Sequence, residues 1–190
     1  MRRRIRAERR ARTPRHREDD ATSLVPVALE LPEIGAARCL ALYASLPTEP
    51  GTGPLRRALR ASGRRVLLPV VLGDGSLDWA EDDGDLRPSA GPGGAEPTTE
   101  PLGPEGIRQA QIIVVPALAV DTLGNRLGQG AGYYDRALRL VGRTVPVLAL
   151  VHDTEVLDAA VEPVPAESHD MTVDAALTPR RCLRLAPLRP

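Results

Sequence analysis

The chain of 190 residues has no phenylalanine, three tyrosines and one tryptophan, so aromatic residues make up only 2% of it. A core built from such a chain must be aliphatic, made of Leu, Val, Ile and Ala. Lysine is also missing: all 25 basic residues are arginine, so any task usually given to an ammonium group falls to a guanidinium. Cysteine occurs twice, at Cys39 and Cys182, with no CxxC and no Cys/His cluster. That excludes a zinc site of the usual spacing and fits a reduced, cytoplasmic compartment. No apolar run approaches the ~20 residues of a membrane span. The basic N-terminal stretch lacks the apolar segment of a signal peptide. Net charge is also lacking, with 25 acidic residues against 25 basic ones. This argues against a general nucleic-acid coat. The expectation is a cytoplasmic monomer with neither a membrane nor a nucleic-acid partner.

Hydrophobic residues make up 42% of the chain, near the globular norm, and the length suits one domain over residues 1–190. Residues 2–12 are free of Gly and Pro and read as a short helix that Thr13-Pro14 ends. Residues 13–32 read as partly loose. Apolar runs at 38–45, 64–72, 110–120 and 145–152 read as buried strands, with Pro69 limiting the pairing of the second. A short edge strand fits 76–80, and a last apolar strand ends the segment 168–179. Helices fit 53–63 and 132–141. Residues 81–106, dense in Gly, Pro and acids, read as a long flexible connection. Apolar strands alternating with helices imply an α/β fold: a three-layer αβα sandwich around a largely parallel sheet.

The densest local signal is DTLGNRLGQGAGYYDRALRL, residues 121–140, with glycines at Gly124, Gly128, Gly130 and Gly132. A strand, a glycine-rich loop and a helix in that order can build an anion site. The backbone approaches closely, N–H groups converge, and the helix dipole points at the ligand. The spacing fits neither GxGxxG nor GxxxxGK[ST]. Arg126 can clamp phosphate oxygens bidentately. Tyr133 is the better site candidate of the tyrosine pair, since Tyr134 shares a helix face with Leu138 and Val141. Asp135 reads either as a complement to the helix dipole or as a Mg²⁺ ligand near phosphates. His152 and His169 each precede an Asp and read as loop histidines at strand ends. Cys39 reads as core.

The stretch RLGQGAGYYDRAL resembles the signature of the 5-formyltetrahydrofolate cyclo-ligase family. VVPALAVDTLGNRLG is similar to the strand and connection leading into that signature. YASLPTEPGTGPL is similar to the family's early substrate segment, GAEPTTE to its Gly-Ile-x-Glu-Pro stretch, ESHDMTVDAALTP to its C-terminal acidic segment, and RRRIR to its opening Lys-x-x-Leu-Arg. The resemblance implies ATP-dependent closure of 5-formyltetrahydrofolate to 5,10-methenyltetrahydrofolate, with ATP and Mg²⁺ required and a reduced folate as the small-molecule partner. It implies ATP contacts from Arg2, Arg3, Arg4, Ile5 and Arg6, and from Arg126, Leu127, Gly128, Gln129, Gly130, Ala131, Gly132, Tyr133 and Tyr134. Folate contacts would come from Ala44, Glu49 and the 129–133 stretch (Gln129, Gly130, Ala131, Gly132, Tyr133). Mg²⁺ would be held by Asp135 and Asp170, and Tyr133 and Arg126 would act in catalysis. Two departures stand out. Arg2 replaces the opening lysine, and Ala131 stands where glycine is usual, so a positive φ there would be unfavourable. The rival readings are a different phosphate-ligand enzyme on a similar α/β scaffold and a paralogue that binds folate or nucleotide without turnover.

Overall fold

Successive residues around Cys39 face opposite ways: Cys39 and Ala41 enter one apolar cluster, Leu40 and Leu42 another. That two-residue period is the mark of a sheet covered on both faces. The computed structural model describes residues 1–89, 91, 94–142, 144–167 and 170–185. In chain order the elements begin with helices α1 (Arg2–Ala11), α2 (Pro14–Leu29) and α3 (Pro32–Ala36), strand β1 (Cys39–Ala41) and helix α4 (Gly53–Ala61). Strands β2 (Arg65–Val71), β3 (Leu77–Glu81), β4 (Leu86–Pro88), β5 (Ala95–Pro97), β6 (Ile112–Pro116), β7 (Ala119–Asp121) and β8 (Arg126–Leu127) follow. Helix α5 (Tyr133–Leu138) and strands β9 (Val147–Leu150), β10 (Val156–Leu157), β11 (Ala175–Leu177) and β12 (Cys182–Arg184) complete the series.

The main sheet has the order β12-β11-β9-β6-β1-β2-β3. Its five central strands are parallel, and both edge strands, β12 and β3, run antiparallel to their neighbours. Leu24, Ala28, Ile34, Leu55 and Leu59 of α2, α3 and α4 pack on one face. Ile107, Ala137 and Leu138, from a 3-10 turn and α5, pack on the other, with Trp79 buried among them. The expected α/β class with a largely parallel sheet is therefore present. From β1 the chain steps to β2 on one side, then crosses to β6 on the other. The order reverses between β1 and β6, and the crevice beyond their C-terminal ends is where open α/β sheets bind ligands.

Several expectations need correction. Residues 13–32 are not loose, because α2 fills most of them. Thr13 Oγ1 accepts from His16 N at 3.2 Å, Pro14 opens the first turn, and Ala21, Leu24 and Ala28 form its buried stripe. Residues 81–106 hold the β4–β5 hairpin and the 3-10 turn Pro104–Gln109. That segment is tied to β3 by Leu102 N donating to Trp79 O at 2.7 Å and Thr99 Oγ1 donating to Glu81 O at 2.6 Å. Ala90, Pro92 and Gly93 within it lie outside the described residues. The run 110–120 is two strands in different sheets, because Pro116 ends β6 and β7 joins a second sheet, β10-β7-β8. The helix expected to reach residue 141 stops at Leu138. Pro69 does limit pairing: β1 covers β2 only from Arg65 to Leu67, so Pro69 pairs with β3 alone and wastes no donor.

Candidate active site

At the switch point lies a cavity of about 560 Å³. Leu46, Pro69, Val71, Leu77 and Pro116 give it apolar walls, and Tyr43, Tyr133 and Tyr134 supply three ring faces. Its floor carries one acid, Glu49, only 7% exposed. Leu46 N donates to Glu49 Oε2 at 2.9 Å, and the Gln129 side chain also bonds the carboxylate. Burial nonetheless raises the Glu49 carboxyl above the usual range, with the Leu46 N–H, Arg9 and Gln129 partly offsetting it. A local lock holds the loop that carries it. Thr52 Oγ1 donates to Tyr43 O at 2.7 Å and accepts from Ser45 N, while Thr52 N donates to Ser45 Oγ. Ala44 lines the same cavity. Burial also pushes the Tyr43 and Tyr134 phenols up, so both stay neutral.

A second cavity, about 580 Å³, adjoins the first. Its lining is polar: Arg2, Arg126, Arg136, Arg139, Asp135, Asp170 and the glycine stretch. Gly130 (φ 109°) and Gly132 (φ 68°) take the conformations that only glycine adopts freely, and Gly132 caps α5. Ala131 needs no such conformation, because no non-glycine residue among those described has a positive φ. The strain expected at Ala131 is absent. Arg126 Nη2 bonds Asp135 Oδ1 at 2.6 Å, with the arginine side chain 4% exposed and its Nε buried without a partner. Asp170 Oδ2 accepts from Glu167 N at 2.8 Å in a turn at the cavity edge. His169 lies outside the described residues.

Helix α1 walls both cavities. Arg2 Nε donates to Gly128 O at 3.0 Å, and Arg6 bonds the side chain and backbone of Gln129 at 2.8–3.1 Å. Gln129 lines both cavities. The other α1 residues in the expected ATP set stand apart. Ile5 packs with Leu118, Ala119, Leu127 and Val164, Arg4 pairs with Glu8 and Glu162, and Arg3 is exposed and lines neither cavity. Leu127 is core as well, so only its backbone is available to a ligand.

Sequence reasoning missed the frame that holds α1. Arg9 is 1% exposed and bonds both oxygens of Glu155 at 2.7 Å and Ala117 O at 2.6 Å. Nearby His152 is equally buried, with Nδ1 3.1 Å from Asp20 Oδ2. Burial and the charges of Arg12, Arg9 and Arg17 drive its pKa down to about 3. No local signal marks these partners, which lie more than a hundred residues apart in the chain. The helical period of α1 does place Ile5 and Arg9 on one buried face.

Together these features define an α/β protein with an apolar, single-acid chamber beside an arginine-and-carboxylate chamber, the layout of an enzyme that brings a ring-bearing substrate to a phosphate donor. The profile of the 5-formyltetrahydrofolate cyclo-ligase family matches residues 1–179. A 5-formyltetrahydrofolate cyclo-ligase from Mycolicibacterium smegmatis is 40% identical over 151 residues, covering 77% of this chain and 76% of that one. Another from Escherichia coli is 29% identical over 186 residues, covering 93% and 97%. The solved 5,10-methenyltetrahydrofolate synthetase of Aquifex aeolicus superposes with a TM-score of 0.79 at 26% identity, covering 100% of this chain and 93% of that one. The chain belongs to the 5-formyltetrahydrofolate cyclo-ligase family. It is a ligase of one-carbon folate chemistry.

Proposed function

We propose that the apolar cavity holds 5-formyltetrahydrofolate, that the polar cavity holds ATP with Mg²⁺, and that the chain joins them in ring closure. The observation that carries this reading is the meeting of the two cavities at Gln129, with Ala131 and Tyr133 lining the apolar one and Gly128, Gly130 and Gly132 the polar one. Glu49 suits the amino and amide donors of a pterin edge, and the tyrosine rings and aliphatic walls suit its faces. The formyl oxygen takes the γ-phosphoryl group and ADP leaves. N10 then attacks the formyl carbon and loses its proton, and phosphate departs with the former formyl oxygen.

Such chemistry asks the protein for positioning and charge neutralisation. The unpartnered Nε of buried Arg126 fits a phosphate oxygen, since a buried donor without an acceptor is unfavourable until a ligand supplies one. Arg2 and Arg6 flank the same loop and add positive charge. Asp135 and Asp170 line one cavity together with Glu167, and the two aspartates are a set of the kind that would hold Mg²⁺ jointly with phosphates. When bound, the cation would neutralise charge on the transferring phosphoryl group. Tyr133, in the apolar cavity next to the glycine stretch, would orient the folate for the transfer. On this reading the protein works as a monomer in the cytoplasm, and its two free cysteines fit a reducing compartment. Among the described residues no helix is long and apolar enough to cross a membrane.

The test mixes protein, 5-formyltetrahydrofolate, ATP and Mg²⁺ and follows the methenyl-folate absorbance band and ADP together. The expected outcome is growth of the band in step with ADP. ATP binding without that band would replace this reading with a non-catalytic binder. Absence of ATP binding would remove the nucleotide assignment of the polar cavity.

A further inference from the structure

Two pieces of the apolar cavity wall, far apart in sequence, meet at one guanidinium. The first is the end of the β2–β3 hairpin, where Val71 and Leu77 pair and both line the cavity. The turn between them is braced from within. Leu72 N donates to Ser76 O and Gly75 N to Leu72 O, each at 3.0 Å, and Asp74 Oδ1 accepts from Ser76 N at 2.8 Å and from Ser76 Oγ at 2.6 Å. The second piece is Tyr133, which opens α5. Arg136, one helical turn further on, joins the two. Its Nη2 donates to Gly75 O in the hairpin turn, and to Ala131 O in the glycine stretch at 3.2 Å. Its guanidinium carbon lies 5.6 Å from the centre of the Tyr133 ring, within cation–π range. The fit is close: Gly75 has φ 80°, and a β-carbon there would stand 3.1 Å from Arg136 Nη2 and 3.4 Å from Tyr133 Cε1.

Arg136 itself lines the polar cavity, so a residue of one chamber holds two parts of the other together. Arg126 in the same cavity is paired with Asp135, whereas Arg136 is held by two carbonyls and a ring face. Resting on the assignment of Tyr133 to the folate above, we propose that Arg136 is a positioning residue for ring closure. From the nucleotide side it fastens Tyr133 to the hairpin turn and so sets where the ring stands beside the folate. Its bonds to the two carbonyls lie at an exposed surface, so its removal costs a several-fold loss rather than all activity.

The experiment measures kcat and the KM of each substrate for the wild type, Arg136→Met, Tyr133→Leu, the double variant and Gly75→Ala, with thermal melts to show that each is folded. In Arg136→Met, kcat/KM for 5-formyltetrahydrofolate falls about fivefold while the KM for ATP stays within about twofold. Gly75→Ala crowds the same contact from the turn and lowers kcat/KM for the folate in the same way. Added to Tyr133→Leu, Arg136→Met costs less than about twofold more, because it acts through the ring. A merely structural role would give additive losses, and additivity in folded variants overturns this inference alone. A rise in the KM for ATP with the folate KM unchanged makes Arg136 a phosphate ligand instead and also overturns it. Failure of the wild type to form methenyl product overturns the activity and this inference together.

Discussion

The two cavities are nearly equal in volume, about 560 and 580 Å³, yet they are made of opposite materials. One is aliphatic and aromatic with a single buried acid. The other gathers four arginines, two aspartates and a glycine-rich backbone. Local sequence explains much of the second, because its glycines, three of its arginines and Asp135 are written along residues 126–139, with Arg2 and Asp170 added from elsewhere. The first is assembled from α1, the loop after β1, β2, β3, β6, the glycine stretch and α5, and only folding brings those pieces together. The difference teaches that a polar cavity can take most of its character from one loop and helix, whereas an apolar one needs walls from several elements.

The largest expected effect breaks the polar chamber. Asp135→Asn removes both the partner of Arg126 and half of the carboxylate pair, so kcat should fall roughly 100-fold or more. The KM for folate should change far less, as steady-state kinetics with each substrate varied would show. Next comes the buried frame behind α1. His152 is held near a pKa of about 3 in the fold, well below its unfolded value of about 6.5. Its contribution to stability is therefore complete above about pH 6.5 and is lost progressively as pH falls toward 3, on the order of a few kcal/mol. Protonation sets a cation against Arg9, Arg12 and Arg17, with Asp20 the nearest acid. Thermal melts from pH 7 to pH 4 should show the decline, and His152→Asn should flatten it.

Glu49→Gln acts on the apolar chamber alone, and in two directions. Folate KM should rise about tenfold or more while ATP KM holds. Stability should increase at pH 7, because burial raises the folded pKa of Glu49 and the ionised form is penalised. That penalty is absent below the unfolded value near 4.5 and full above the folded value, so the gain in melting temperature should vanish by pH 4. The smallest effect is Ala131→Gly. With no positive φ to relieve, the change should lower stability by about 0.5–1 kcal/mol through the unfolded chain and alter kcat by less than about twofold. Calorimetry beside the coupled assay would check both.

The sheet was legible because its strands are continuous aliphatic runs, and the glycine junction because its residue types are unusual and adjacent. Helix α2 escaped notice because Arg15, Arg17, Glu18, Asp19 and Asp20 crowd its first half and Pro26 interrupts its second, while its buried stripe of Ala21, Leu24 and Ala28 is sparse. The split of the 110–120 run was hidden because apolar periodicity does not reveal which sheet a strand joins. Arg126 and Asp135 were each recognisable as candidates, but their mutual ion pair depends on how the β8–α5 connection folds back. The Arg9–Glu155 pair and the hydrogen-bonded lock at Thr52 join partners whose spacing carries no pattern.

Gln129 takes on a further meaning once both ligands are considered together. It accepts from Arg6 and bonds Glu49, both of the apolar chamber, while the same residue also lines the polar one, so one side chain touches both chambers. Any shift of that amide on binding one ligand changes the free energy of binding the other. Thermodynamic reciprocity then fixes the relation: whatever factor nucleotide imposes on the dissociation constant of folate, folate must impose on that of nucleotide.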